Sequence, residues 1–389
     1  MAKREEQYHG LLIVDKPGRV AVDSSLNSSL DSTEKTTTGL KASANRSQTF
    51  ASDLAPRRES SSPLSPNSSE RNLPTSHDIV QMVRRWSQQR RIGHTGTLDP
   101  MASGVLVLCL GKATRLVEYY QGHAKQYYAE IVLGKATDTY DAVGTVTEQI
   151  TTPRLNSEQL DAALSKFRGH VWQIPPLYSA LKRDGESLHR KARRGETVTL
   201  DPCSVFFHEL DLLRYDPPDS KSGGRLYLRT VCSAGTYIRS LAHDLGQALG
   251  TVAYLDILRR EAAGSFNLEQ ARSLDDLEQA SEDNRFGELL LPLGSGLHLP
   301  KITLDEHATQ RLGYGQTIIL NSPETLSVAQ SLLKSTPEQA ETLSSAEDTQ
   351  LAAAIQQGQV FVGIIRCLGY TDPSKSGPGT MWKAEKWFA

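Results

Sequence analysis

Few residue groups in this chain could carry chemistry. No HExxH, GxSxG or EF-hand pattern occurs, which removes the common zinc-protease, serine-hydrolase and calcium-loop solutions. Residues 104–112 hold a glycine and a Gly-Lys pair, but the spacing is wrong for a P-loop. Ala113 also stands where a P-loop needs Ser or Thr to bind Mg²⁺. His94, His123, His189 and His243 are isolated, with no zinc-ligand spacing. Cys109, Cys203, Cys232 and Cys367 form no CxxC pair and suit a reduced compartment. No metal and no cofactor is expected. What remains is a carboxylate. Asp99 follows Gly93-His94-Thr95-Gly96-Thr97-Leu98 and precedes Pro100. An ionised carboxylate can act as a nucleophile without a neighbouring base, provided it is desolvated and aimed. Asp before Pro is also common in turns, and the local sequence leaves both readings open.

A second group of residues suggests RNA. Tyr127, Tyr128, Tyr178 and Tyr237 lie near glycines, turns or element ends rather than deep in apolar runs. Basic residues cluster at 84–91 (Arg84, Arg85, Arg90, Arg91) and at 182–194 (Lys182, Arg183, Arg190, Lys191, Arg193, Arg194). Basic grooves with aromatic platforms suit unpaired or flipped nucleotides. The same residue types also occur as solvated faces and core tyrosines.

These residues need elements to position them. A short apolar strand, Gly10-Leu11-Leu12-Ile13-Val14-Asp15-Lys16, stops at Pro17-Gly18. Residues 21–71 are then rich in Ser, Thr, Asn, Asp and Pro, with Phe50 the sole aromatic, and read as a disordered insertion. Ser76 is placed as the cap of a helix carrying Ile79, Met82, Val83 and Trp86 on one face. Strands are expected over 105–110, 127–134, 143–148 and 226–233. The acidic turn Thr137-Asp138-Thr139-Tyr140-Asp141 separates the second and third of these. Ser157 is read as capping a helix with Leu160, Ala163, Leu164 and Phe167 inward, and a further helix starts near Thr236. Beyond residue 299, stretches 303–320 and 359–365 read as a small β-rich domain. A polar segment of weak helical character interrupts it over 321–357, and the chain closes on an alternating strand at 381–388.

Taken together, these motifs are identifiable. Gly93-His94-Thr95-Gly96-Thr97-Leu98-Asp99-Pro100 resembles the signature loop of the TruB family of tRNA pseudouridine synthases. Other stretches match the same family in order: 10–17, Ser76-His77-Asp78-Ile79-Val80, Lys125-Gln126-Tyr127, and 134–141. So do Pro175-Pro176-Leu177-Tyr178-Ser179-Ala180-Leu181-Lys182, Cys232-Ser233-Ala234-Gly235-Thr236-Tyr237-Ile238-Arg239 and Leu258-Arg259-Arg260. The resemblance covers roughly residues 8–18 and 74–300. It implies an α/β (α+β) catalytic domain with a mixed, largely antiparallel sheet and flanking helices, over residues 8–299, carrying the insertion at 19–73. A PUA-like RNA-binding domain over 300–389 would follow.

The implied activity is isomerisation of the T-loop uridine at position 55 of tRNA to pseudouridine, without cofactor or metal. The implied partner is the tRNA T-stem-loop, bound by a monomer in the cytoplasm and not at a membrane. By the same resemblance Asp99 is the nucleophile, attacking the sugar C1′ or the base. Tyr127 stacks on the flipped base, and Arg239 pairs with the Asp99 carboxylate, with Tyr237 beside it. Leu258 closes the other side of the base, and His94 inserts into the T-loop as the uridine leaves. Two features depart from the family pattern. His189 stands where Tyr is usual, and the Ser-rich insertion separates two motifs that are normally adjacent. Two other classes compete: a silent RNA-binding module on the same scaffold, and an Asp-dependent nucleoside or glycoside hydrolase. The hydrolase would want a second acid across the bond.

The chain-wide numbers are consistent with this layout. Of 389 residues, 38% are hydrophobic, which the two polar stretches dilute below an ordinary core. The net charge of −2 averages local basic patches against acidic sequence elsewhere.

Overall fold

Continuous apolar runs become strands that are buried on both faces. The computed structural model describes residues 7–19, 73–177, 182–183, 186–187, 200–219, 223–334, 350–356, 359–372 and 379–389. The Ser-rich insertion, Tyr178, His189 and, of the basic run at 182–194, Arg190, Lys191, Arg193 and Arg194 lie outside the described residues.

In chain order the elements begin with β1 (Gly10–Lys16), α1 (Ser76–Trp86), β2 (Ile92–His94), β3 (Ser103–Leu110), α2 (Val117–Gln121) and β4 (Lys125–Leu133). Next come β5 (Lys135–Thr137), β6 (Val146–Gln149), α3 (Ser157–Ser165), β7 (Gly169–Gln173), β8 (Lys182–Arg183) and β9 (Glu186–Ser187). Then follow β10 (Cys203–Asp216), β11 (Arg225–Cys232), α4 (Ile238–Ala248), β12 (Ala253–Ala263), β13 (Phe266–Asn267) and α5 (Leu274–Glu282). The last group is β14 (Lys301–Leu304), α6 (Glu306–Gly313), β15 (Ile318–Leu320), α7 (Pro323–Lys334), β16 (Leu351–Gln356), β17 (Val360–Tyr370) and β18 (Thr380–Trp387).

Nine of the described strands form one sheet in the order β1-β3-β12-β4-β11-β10-β7, with β2 on β3 and β13 on β12. Only β3 and β12 run parallel, meeting at Ser103 and Arg259; the other pairs are antiparallel. The mixed, largely antiparallel sheet expected from sequence is what the chain forms.

Alternation explains the burial of β1 and β3. Leu12, Val14, Leu106, Leu108 and Leu110 face the core that holds α1, α3 and α4. Leu11, Ile13, Val105, Val107 and Cys109 face the opposite side, among Leu351, Ile364 and Phe388 from the end of the chain. Strands covered on both faces read as continuous apolar runs, as these do.

A second sheet, β14-β16-β17-β18-β15, forms around Trp382, which is fully buried. The polar stretch at 321–357 is more structured than its composition indicates. It contains α7 and the buried strand Leu351-Ala352-Ala353-Ala354-Ile355, whose alanines imitate a helix in sequence. Two caps sit one residue earlier than read. Thr75 accepts from Asp78 N in a capping box, and Asn156 does the same with Gln159. Ser76 is freed for another task, described next.

Candidate active site

The loop between β2 and β3 presents Asp99. Its neighbours Leu98, Met101 and Ala102 are buried at 3%, 1% and 0% exposure and anchor the loop. The Asp99 side chain keeps 33% of its surface open. Ala102 N donates to Asp99 O (3.0 Å), closing a turn over Pro100-Met101.

Three side chains fix this loop from beneath. Ser76 Oγ donates to Leu98 O (3.0 Å) and accepts from Leu98 N (2.9 Å). Lys16, wholly buried, donates its ammonium to Pro17 O (2.9 Å), Pro100 O (2.9 Å) and Ala102 O (2.8 Å). Burial pulls the Lys16 pKa down to about 8, with the Asp99 carboxylate acting against that shift. Arg260, also buried, donates to Val105 O (2.7 Å), Gly96 O (3.1 Å) and Thr97 O (3.4 Å). The sequence showed Lys16, Ser76 and Arg260 inside recognisable stretches without giving any of them this role.

Arg239 comes from the first turn of α4. It meets Asp99 with two donors, Nε on Oδ2 (2.9 Å) and Nη2 on Oδ1 (3.1 Å), the bidentate fork that guanidinium groups favour. The third nitrogen, Nη1, lies 3.4 Å from Asp141 Oδ2 and donates to Thr139 O (3.4 Å). Arg239 is 5% exposed, so these acceptors replace most of its water. Asp141 is the residue that sequence reasoning missed; it was legible only as part of an acidic turn. Its Oδ1 accepts from Thr139 Oγ1 (2.6 Å) and Val143 N (3.0 Å). Burial raises its pKa, opposed by Thr139 and Arg239.

The N-terminus of α4 is itself pinned. Gln173, at the end of β7, accepts from Tyr237 N (2.8 Å) and donates to Tyr237 O (2.9 Å). Ser240 Oγ donates to Ile174 O (2.7 Å). Tyr237 is thus fixed by its backbone at the helix cap, with its ring half-buried.

Tyr127 and Leu258 come from paired strands. Tyr127 stands opposite Arg260, and Leu258 opposite Ala129, in the β4–β12 register. Period two therefore puts Leu258, Arg260, Tyr127 and Ala129 on one face. Burial raises the pKa of the Tyr127 hydroxyl, opposed by the charge of Arg260. Leu258 is 5% exposed. His94 ends β2, half-buried, with its pKa lowered by burial and by the charges of Arg260 and His77. Its Nδ1 is buried with no hydrogen-bond partner among the described residues. Among the described residues no cluster of His, Cys, Asp or Glu could hold a metal ion. No helix there is long and apolar enough to cross a membrane.

The arrangement is a carboxylate with one open face, backed by a buried guanidinium. That geometry suits attack by oxygen on an electron-poor carbon. The family model described as TruB family pseudouridylate synthase (N terminal domain) matches residues 84–238. The tRNA pseudouridylate synthase B C-terminal domain matches residues 239–298. The tRNA pseudouridine synthase B of Dehalococcoides mccartyi is 44% identical over 258 residues, spanning 65% of this chain and 84% of that one. The chain belongs to the TruB family of pseudouridylate synthases. The protein of the same name from Caldanaerobacter subterraneus is 36% identical over 260 residues, covering 67% of this chain and 86% of its own. The fold extends further than the sequence likeness. The archaeal box H/ACA sRNP Nop10-Cbf5 complex includes a chain that aligns with a TM-score of 0.57 at 20% identity, over 99% of this TruB-family chain and 87% of that one. A chain of an H/ACA RNP bound to a substrate RNA containing 2′-deoxyuridine gives a TM-score of 0.54 at 22% identity, over 81% and 82%. Both TruB-family models meet between Ile238 and Arg239, so the Asp99–Arg239 pair joins one matched segment to the other.

Proposed function

We propose that this TruB-family enzyme converts the T-loop uridine at position 55 of tRNA to pseudouridine, with Asp99 as nucleophile. The observation that carries this reading is the Asp99 carboxylate, one-third exposed and gripped by two nitrogens of Arg239. The reaction conserves atoms: the bond from N1 to C1′ breaks, the base turns, and C5 joins C1′. The C5 proton leaves and N1 takes one up. No external acid is consumed, so one aimed carboxylate suffices for the covalent step.

The remaining roles follow from placement. Tyr127 offers a ring face to a flipped base, and Leu258 the apolar wall opposite. His94, whose Nδ1 lacks a partner among the described residues, fills the space the uridine leaves. Tyr237, next to Arg239, borders the same pocket. Exposed Arg85, Arg90 and Arg91 offer cations to the phosphates of the T-stem. Residues 300–389 act as the PUA-like RNA-binding domain beside a catalytic domain over 8–299, and the enzyme works as a monomer.

A hydrolase would place its second acid across the scissile bond. Asp141 is instead buried behind the same guanidinium as Asp99. The test is carbodiimide mapping of pseudouridine on a T-stem-loop RNA treated with the purified protein. Wild type is expected to mark the T-loop uridine without releasing free uracil. Asp99→Asn is expected to lose at least about 10³-fold in turnover while still binding RNA. Full turnover by Asp99→Asn would refute the nucleophile assignment, and released uracil would favour hydrolysis.

A further inference from the structure

Helix α4 grips the acidic turn at two places. Arg239 reaches Thr139 O and Asp141. One helical turn later the ring of His243 lies flat on Tyr140, with centroids 4.1 Å apart and planes 15° from parallel. Gln247, a further turn along, shares a 3.0 Å hydrogen bond with His243 Nε2 and fixes the plane of that ring.

Tyr140 carries a φ of +62°, a conformation that a tyrosine adopts only when its surroundings impose it. Its backbone supplies part of that constraint. Tyr140 N donates to Thr137 O (3.2 Å), and Tyr140 O accepts from Leu255 N (3.0 Å). Ala142 N then donates to Leu255 O (2.9 Å), so two bonds to β12 bracket Asp141. Gly144 permits the tight return, because a Cβ there would overlap Thr139 Oγ1 and Asp138 Oδ1. The side chain of Tyr140 has one ring partner among the described residues, His243.

We infer that the His243–Tyr140 stack is a positioning device for the isomerisation. It holds the strained turn so that Asp141 meets Arg239, and Arg239 in consequence presents Asp99. This rests on the reading of Asp99 as nucleophile. His243 and Tyr140 are positioning residues, acting through Asp141 and Arg239. A flat ring is what the position requires; a proton on His243 is not.

The test compares the full-length His243→Leu and His243→Phe proteins with wild type on the T-stem-loop RNA. Leucine removes the flat ring, and phenylalanine keeps it without the ring nitrogens. His243→Leu is expected to lower kcat about tenfold, with KM and RNA affinity within about twofold of wild type. His243→Phe is expected to recover most of that loss. Equal kcat in Leu and wild type overturns the proposal, as does a Phe variant no better than Leu. Crystal structures of the same two variants give a readout that needs no substrate. Asp141 is expected to leave Arg239 in His243→Leu and to stay in His243→Phe, and an unmoved Asp141 in the Leu protein overturns the device. Wild type that leaves the RNA unmodified would instead defeat the substrate reading, and the two crystal structures would still decide the stack.

Discussion

Buried charge in this molecule is handled in two opposite ways, residue by residue. Arg239 is buried among Asp99, Asp141 and Thr139 O. Removing that one side chain would take the guanidinium from both carboxylates, of which Asp141 is 5% exposed. His123 shows the other solution. It is 8% exposed, stacks on His298 at 4.3 Å, and has its pKa pulled from 6.5 to about 4 by burial, then by His298 and Lys125. The unfolded chain therefore takes up this proton before the folded one does. The contribution of His123 is complete above pH 6.5 and is lost as pH falls through about 4. A shift of that size corresponds to on the order of 3 kcal/mol. Urea melts from neutral pH down to about 4 should show wild type losing stability more steeply than His123→Gln. Equal slopes would show that His123 is not held neutral by the fold.

The Asp99–Arg239 pair depends on an element end that sequence patterns did not reveal. The cap of α4 hangs on Gln173, which is 2% exposed and bonds both the N–H and the C=O of Tyr237. Replacing it by Leu removes the acceptor for Tyr237 N and one of two donors to Tyr237 O, which keeps Leu241 N at 3.1 Å, a cost of about 1–3 kcal/mol. The expected kinetic signature is a fall in kcat of about tenfold or more with RNA affinity nearly unchanged. A Gln173→Leu enzyme whose kcat matches wild type in stopped-flow and binding assays would remove β7 from the account of the site. The same element scale shows what could be read in advance. β3 was legible because its whole run is apolar, and α1 because Ile79, Met82, Val83 and Trp86 follow the helical period. β16 was not, because an Ala-rich strand inside polar sequence carries no period-two contrast. Of the site, Asp99, Arg239, Asp141, Arg260 and Lys16 stood in motifs, but only the first two with a role attached. Asp141, Arg260, Lys16 and Gln173 act through contacts made only when distant elements meet, such as the 86 residues between Lys16 and Ala102. Local pattern holds no trace of such pairings.

At the scale of the whole molecule, the residues that flank 20–72 in the chain hold the Asp99 loop. Before it, Arg19 N donates to Met101 O (2.8 Å) and Lys16 holds Pro100 and Ala102. After it, Ser76 holds Leu98 from both sides. Every one of these bonds belongs to residues outside 20–72. Exchanging 20–72 for a short Gly-Ser linker should therefore keep T-stem-loop turnover within about threefold. A loss of tenfold or more, about 1.4 kcal/mol of barrier, would show that the segment itself supports catalysis. The far end of the chain is joined to the nine-stranded sheet as well. Lys112 and Arg115 donate to the carbonyls of Phe388 and Trp387, and Phe388 packs with Leu11, Ile13 and Val105. This has a consequence for how the protein is made. The outer side of β1 is made before Leu351, Ile364 and Phe388, which complete a cover that Phe266 and Leu291 join earlier. At about 5–20 residues per second, that cover stays incomplete for on the order of tens of seconds. During synthesis, this side of the nine-stranded sheet is where a chaperone would find a hydrophobic surface to hold.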